Sequence, residues 1–184
     1  TKRNPGTPAG KIATVSYFST TVGTERKLNI YTPPGYTKDK KYPVLYLLHG
    51  IGGDETEWQR FATVDVLADN LIQAGKLRDV IIVMPNGRAQ KNDKAEGNVF
   101  AAAPSFAVFE KDLLTDVIPF IEKTYSVLPG RENRAIAGLS MGGGQTVTVG
   151  MKHPELFSAV GFVSAGIFNG PQFETAISTV EKSV

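Results

Sequence analysis

The sequence predicts an α/β fold with a mostly parallel sheet flanked by helices. Three observations predict it. Short, continuous apolar runs recur along the chain, as in "YPVLYLLHG" and "DVIIVMP", and such runs suit strands buried on both faces. Between them lie longer segments with apolar residues at helical spacing. Strand and helix alternate over most of the length, which implies right-handed βαβ crossovers within one sheet.

Taken in order, residues 1–10 are polar and rich in Pro and Gly and read as a linker. Residues 11–184 read as one domain. "KIATVSYFST" and "ERKLNIYTP" are β-branched and loosely alternating. They predict two antiparallel strands at a sheet edge, joined by a turn at Gly23. Residues 42–50 predict the first buried strand. Residues 64–76 predict a helix with Val64, Leu67, Leu71 and Ile72 inward and Gly75 at its end. Residues 79–85 predict a second buried strand, and the aperiodic stretch 86–104 a long surface loop of functional type.

Residues 105–125 predict one long amphipathic helix. Phe106, Phe109, Leu113, Val117 and Phe120 form its inner stripe, and Pro119 bends it. "RAIAGLS" predicts a third buried strand, 141–154 a helix stopped by Pro154, and 157–166 a fourth parallel strand. Turn chemistry and a short helix-like stretch complete the chain.

Composition narrows the function. The 184 residues are enough for one cored domain, and the net charge of +2 gives no reason to expect nucleic acid. No basic amphipathic run or bilayer-length apolar run points to a membrane. With no cysteine there is no disulfide, thiolate metal site or cysteine nucleophile.

The informative stretch is "RAIAGLSMGGGQ". Gly138, Ser140 and Gly142 match G-x-S-x-G, in which a serine is presented on a strained strand-to-helix turn. The flanking glycines fit because side chains two residues either side would collide with the turn. The helix that starts at Met141 aims its positive end at the same point, where an oxyanion would develop. The competing reading is a glycine-rich turn that only packs tightly or holds a phosphate, but the G-x-G-x-x-G spacing and a P-loop lysine are absent. Upstream, "LLHGIGGDETEW" follows a buried strand. Gly50, Gly52 and Gly53 let it turn back, so that the Ile51 N–H, or failing that the Gly52 N–H, would supply the second oxyanion donor.

These segments, with "YTPPGY", "VMPNGR", "DVIPFIEKTY" and "HPELFSAVGFVSAG", occur in the order seen in the esterase-D-like group of α/β-hydrolases. From about residue 11 onward the chain most resembles feruloyl esterases and acetyl-xylan-type carbohydrate esterases of plant-cell-wall degradation. The same group includes S-formylglutathione hydrolases and mycolyl transferases. The resemblance implies an α/β-hydrolase fold, Ser140 as nucleophile, and Met141 with Ile51 as the oxyanion hole. It implies an ester substrate linked to polysaccharide or a small ester, no metal or organic cofactor, and carbohydrate-active modules appended in a longer, secreted protein. A cytoplasmic thioesterase or acyltransferase is the enzymatic alternative. A non-catalytic scaffold that keeps the fold is the alternative of another class.

In this fold the acid and then the histidine follow the serine. Here no Asp follows Ser140 and the one later histidine is His153. His153 would lie at the far end of the following helix, about 20 Å away. His49, beside the oxyanion turn, is the nearer candidate, although by resemblance its part is structural. Of the later carboxylates, Glu155 shares the distance problem of His153, and Glu174 and Glu181 read as a solvated face. The expectation is therefore a chain that stops before the strands carrying the acid and the base, with a bare sheet edge. On the substrate side, Gly52, Asp54 and Trp58 are expected at the mouth, Trp58 either stacking on a ligand or buried under the loop. Glu55 and Glu57 follow the same turn. Asn86, Arg88 and Asn98 could bond a sugar or be solvated, and Phe100 and Phe106 could line an acyl pocket.

Overall fold

The computed structural model describes residues 1–166. The expected helix-like stretch after residue 166, with Glu174 and Glu181, lies outside the described residues. Six strands form one sheet: β1 (Lys11–Ser19), β2 (Thr24–Thr32), β3 (Val44–Leu48), β4 (Ile81–Pro85), β5 (Arg134–Leu139) and β6 (Ala159–Val163). Their order is β1-β2-β4-β3-β5-β6. β1 and β2 pair antiparallel, and β2 joins β4 antiparallel, while β4, β3, β5 and β6 run parallel. The fold class and the antiparallel edge pair are as expected.

The period-two alternation of strands sorts side chains into two cores. Val44, Tyr46, Leu48, Ile81 and Val83 face one side, with Phe109, Leu113, Val117 and Ile121 packed on them. Leu45, Leu47, Ile82 and Met84 face the other, against Val64, Ala68 and Trp58. Two helices cover that second side, α1 (Glu57–Ala62) and α2 (Val64–Gln73). The first side carries α3 (Ala103–Asp112), α4 (Ile118–Thr124) and α5 (Met141–Lys152).

Three local expectations are corrected. Helix α1 was not expected, because its six residues bury none and carry no apolar stripe. In α2, Leu67 is 42% exposed, while Ala68 and Asp69 turn inward. Asp69 is stabilised there by hydrogen bonds from Tyr31 Oη (2.7 Å), Arg3 Nη2 (2.7 Å) and the Gly10 N–H (2.9 Å). The long helix 105–125 is two α-helices separated by a π-turn, Leu113–Val117. Pro119 falls in the first turn of α4, and the wider π-turn before it relieves the clash of the ring with the carbonyl four residues back.

The end of α3 and the π-turn aim two carboxylates at the β1–β2 hairpin. Asp112 bonds Tyr17 Oη (2.8 Å) and pairs with Arg26. Asp116 accepts from Thr20 N (3.0 Å), Thr20 Oγ1 (2.6 Å) and Thr21 N (3.0 Å). Burial alone would raise the Asp116 carboxyl, but these bonds from Thr20 and Thr21 hold it below its ordinary 3.8.

A carboxyl with a depressed folded-state pKa contributes stability above its unfolded pKa, and the contribution disappears as pH falls through the folded value. Asp116→Asn is therefore expected to lower Tm at pH 7, through a loss of about 1–3 kcal/mol. The gap to the wild type should narrow at pH values well below 3.8. Paired thermal melts across that range check it, and an undiminished gap in acid would exclude the role assigned to ionised Asp116.

Candidate active site

The parallel strands β4, β3, β5 and β6 are adjacent, so the loops at their C-terminal ends line one edge of the sheet. Leu48 at the end of β3 pairs with Gly138 of β5, and Leu139 pairs with Val163. That register puts the 49–53 turn beside Ser140.

Ser140 has φ 53° and ψ −114°, a left-handed conformation that costs a non-glycine residue about 1–3 kcal/mol. Its surroundings enforce it. The Ser140 N–H donates to Val163 O (2.9 Å), and its carbonyl accepts from Gly144 N (2.9 Å) and Gly166 N (2.8 Å). A Cβ on Gly138 would lie 2.3 Å from Gly142 O, and one on Gly142 would lie 2.5 Å from His49 O. The reason for the motif glycines is thus direct backbone contact. Gly144, outside the motif, is equally constrained: a Cβ there would meet Gly166 O at 2.0 Å.

The backbone groups of the facing turn can be accounted for one by one. The Gly50 N–H donates to Glu57 Oε1 (2.9 Å). The Gly50 carbonyl accepts from Gly53 N (3.0 Å) and lies 2.7 Å from His49 Nδ1. The carbonyls of Ile51 and Gly53 accept from the guanidinium of Arg88. Across the gap, Gly142 N is given to His49 O (3.0 Å). Among the described residues, the N–H groups of Ile51, Gly52 and Met141 have no acceptor. A Cβ on Gly50 would lie 3.8 Å from Ser140 Cβ, so the turn that carries the Ile51 and Gly52 donors lies against the serine. The arrangement can receive an oxygen that gains negative charge as Ser140 attacks a carbonyl.

Neither histidine is placed to serve Ser140. His49 is 1% exposed. Gly87 N–H donates to its Nε2 (2.9 Å), so Nδ1 carries the proton and donates to Gly50 O. Burial lowers its pKa. Both ring nitrogens are committed, and the ring fixes the turn. His153 caps the far end of α5, where Nε2 is 3.0 Å from Glu110 and Nδ1 is 3.4 Å from Glu155.

The outer residues divide. Gly52 and Asp54 line an open cleft of about 500 Å³ beside the turn, with Arg26, Glu55, Asn86 and Asp93. Burial would raise the Asp54 carboxyl, but bonds from Thr56 hold it low, whereas burial pushes Glu55 up. The half-buried Trp58 ring of α1 packs against the core that α2 covers. Asn86 and Arg88 are 2% and 1% exposed. They brace the loops from inside because the loop after β4 folds back on the sheet. Asn98 accepts from Phe100 N (3.1 Å), Phe100 is exposed, and Phe106 is buried. Sequence reasoning did not assign Glu57, Arg88 or Gln145 to the support of this site. Gln145 Nε2 donates to Gly87 O (2.8 Å) from one turn into α5. The signal available was proximity in sequence to the two glycine turns, with nothing to show direction.

The family model described as "Putative esterase" matches residues 19–177. An endo-1,4-beta-xylanase/feruloyl esterase of Xylanibacter ruminicola is 38% identical over 86% of this chain and 22% of its own length. Endo-1,4-beta-xylanase Y of Acetivibrio thermocellus is 32% identical over 76% of this chain and 13% of its own length. Among solved structures, a ferulic acid esterase from Anaeromyces mucronatus in complex with ferulic acid superposes with a TM-score of 0.81 at 30% identity. That match covers 89% of this chain and 61% of the other. The chain thus spans under a quarter of the two curated relatives.

The glycine contacts make a paired expectation. Gly142→Ala drives a methyl into the Leu48 and His49 carbonyls and should destabilise by about 1–3 kcal/mol or more. Gly52→Ala meets nothing within 4 Å and should stay within about 0.5 kcal/mol of the parent. Urea unfolding of both variants measures the difference, and equal midpoints would contradict the packing described.

Proposed function

This chain belongs to the "Putative esterase" family, and on that premise we propose that it carries the nucleophile and oxyanion hole of a serine carboxylesterase. The observation that carries the proposal is the strained Ser140 beside the 49–53 turn, where the N–H groups of Ile51, Gly52 and Met141 have no acceptor among the described residues. Ser140 Oγ attacks the ester carbonyl. The Met141 and Ile51 N–H groups hold the oxyanion, and collapse expels the alcohol and leaves an acyl-serine. Water then releases the acid and restores the hydroxyl.

The base that takes the serine proton is neither His49 nor His153, both of which are committed elsewhere. We assign the base and its acid partner to sequence other than these 184 residues. The substrate reading is a feruloyl or acetyl ester on a plant-cell-wall polysaccharide such as xylan. It is supported by the xylanase and feruloyl esterase names of the relatives and by the ferulic acid complex. The small fraction of those relatives that is matched extends the proposal to carbohydrate-active modules on the same polypeptide. A polymeric substrate lies outside the cell, so the reading brings an extracellular location with it.

In the full-length protein, Ser140→Ala should lower hydrolysis of methyl ferulate and p-nitrophenyl acetate by about 10⁴-fold or more. It should also abolish the acyl-enzyme burst and labelling by a fluorophosphonate. Labelling that persists in the variant, or a wild type that neither labels nor hydrolyses, would reject the proposal.

A further inference from the structure

Two arginines are almost fully buried, at 2% exposure for Arg26 and 1% for Arg88. Buried guanidinium groups are costly unless their hydrogens are well placed. Here the terminal nitrogens go mostly to backbone carbonyls, while among the described residues neither Nε has a partner. Arg26 Nη2 donates to Asn86 O (2.7 Å) and Arg88 O (2.9 Å), while Nη1 reaches Asp112 and Tyr17 Oη (2.9 Å). Arg88 Nη1 donates to Gly53 O (3.2 Å) and Asp93 O (2.9 Å), and its Nη2 to the Ile51 carbonyl. The result is a chain of contacts from Asp112 on α3, through β2, to the loop after β4, and on to the 49–53 turn.

We propose that Arg88 is a positioning residue for the oxyanion turn, an inference that rests on the esterase reading of Ser140. Its fork grips the Ile51 and Gly53 carbonyls from inside, while Glu57 takes the Gly50 N–H from the other side. The peptide planes are thereby fixed. In a trans peptide the N–H of one residue opposes the carbonyl of the residue before it, so the grip on the Ile51 carbonyl fixes the direction of the Gly52 N–H, while Gly53 N and His49 Nδ1 on the Gly50 carbonyl fix that of the Ile51 N–H. Arg26 holds the Arg88 carbonyl and so orients the residue that does the gripping. A lysine cannot reproduce this, because one ammonium lacks the planar fork that spans two carbonyls.

The test compares Arg88→Met, Arg88→Lys and Ser140→Ala with the wild type in the full-length protein, with p-nitrophenyl acetate as substrate. Active sites are counted by fluorophosphonate labelling, so that kcat is expressed per competent serine. A boronic acid, which forms a tetrahedral adduct on serine, reports on the oxyanion hole separately from ground-state binding. Arg88→Met should lower per-site kcat by about 10- to 100-fold with KM within about threefold. The boronate Ki should rise in proportion to the loss in kcat/KM, and Arg88→Lys should fall between. A folding defect alone would reduce the number of labelled sites and leave per-site kcat and Ki unchanged. If Arg88→Met yields no soluble protein, Arg88→Lys decides. Per-site kcat and Ki within about twofold of wild type in the soluble variants would overturn the positioning role. Wild-type turnover by Ser140→Ala would instead remove the esterase reading on which it rests.

Discussion

Helix α5 begins within contact distance of the ends of strands β3 and β5, and the absence of side chains at Gly138 and Gly142 is what permits it. From that contact follow the strained backbone at Ser140, the bond from Gly142 N to His49 O, and a first helical N–H that has no acceptor among the described residues. The strand order supplies the rest. Because β3 lies between β4 and β5, the turn after β3 is flanked by the serine on one side and by the 86–88 segment on the other. A turn in that place can be held from one side and used from the other.

The polar interior serves the same end. Five backbone carbonyls, of Ile51, Gly53, Asn86, Arg88 and Asp93, accept hydrogens from two buried guanidinium groups. Such loops form no ladder of their own, and a buried carbonyl without a donor is costly. The arginines thus let irregular backbone lie against the sheet without a strand ladder to satisfy it. Asp112 balances part of their charge from the end of α3, where the π-turn that follows aims Asp116 at the same hairpin.

Much of this was legible in the sequence. Apolar runs located β3, β4 and β5 because strands buried on both faces must be apolar throughout. The G-x-S-x-G spacing located the elbow because its glycines answer to backbone collisions that hold in any sequence. Helix α1 was not legible, since a six-residue exposed helix leaves no periodic signal. Nor was the π-turn, which differs from an α-helix by one hydrogen-bond step. Asn86 and Arg88 read as solvated or as sugar ligands because charge and polarity ordinarily mean surface. Their burial is a tertiary fact, set by the loop folding back over β2. His49 was legible as a neighbour of the turn, but its tautomer depends on Gly87, thirty-eight positions away.

The backbone angle at Ser140 also bears on the history of the chain. At φ 53° a glycine would relax the strain, so selection for folding alone would favour glycine there. A polypeptide kept only as a scaffold would have had an easy substitution open to it at this position. The serine keeps a hydroxyl where the fold by itself would rather have none. It is a standing thermodynamic handicap of about 1–3 kcal/mol that the rest of the fold has to offset.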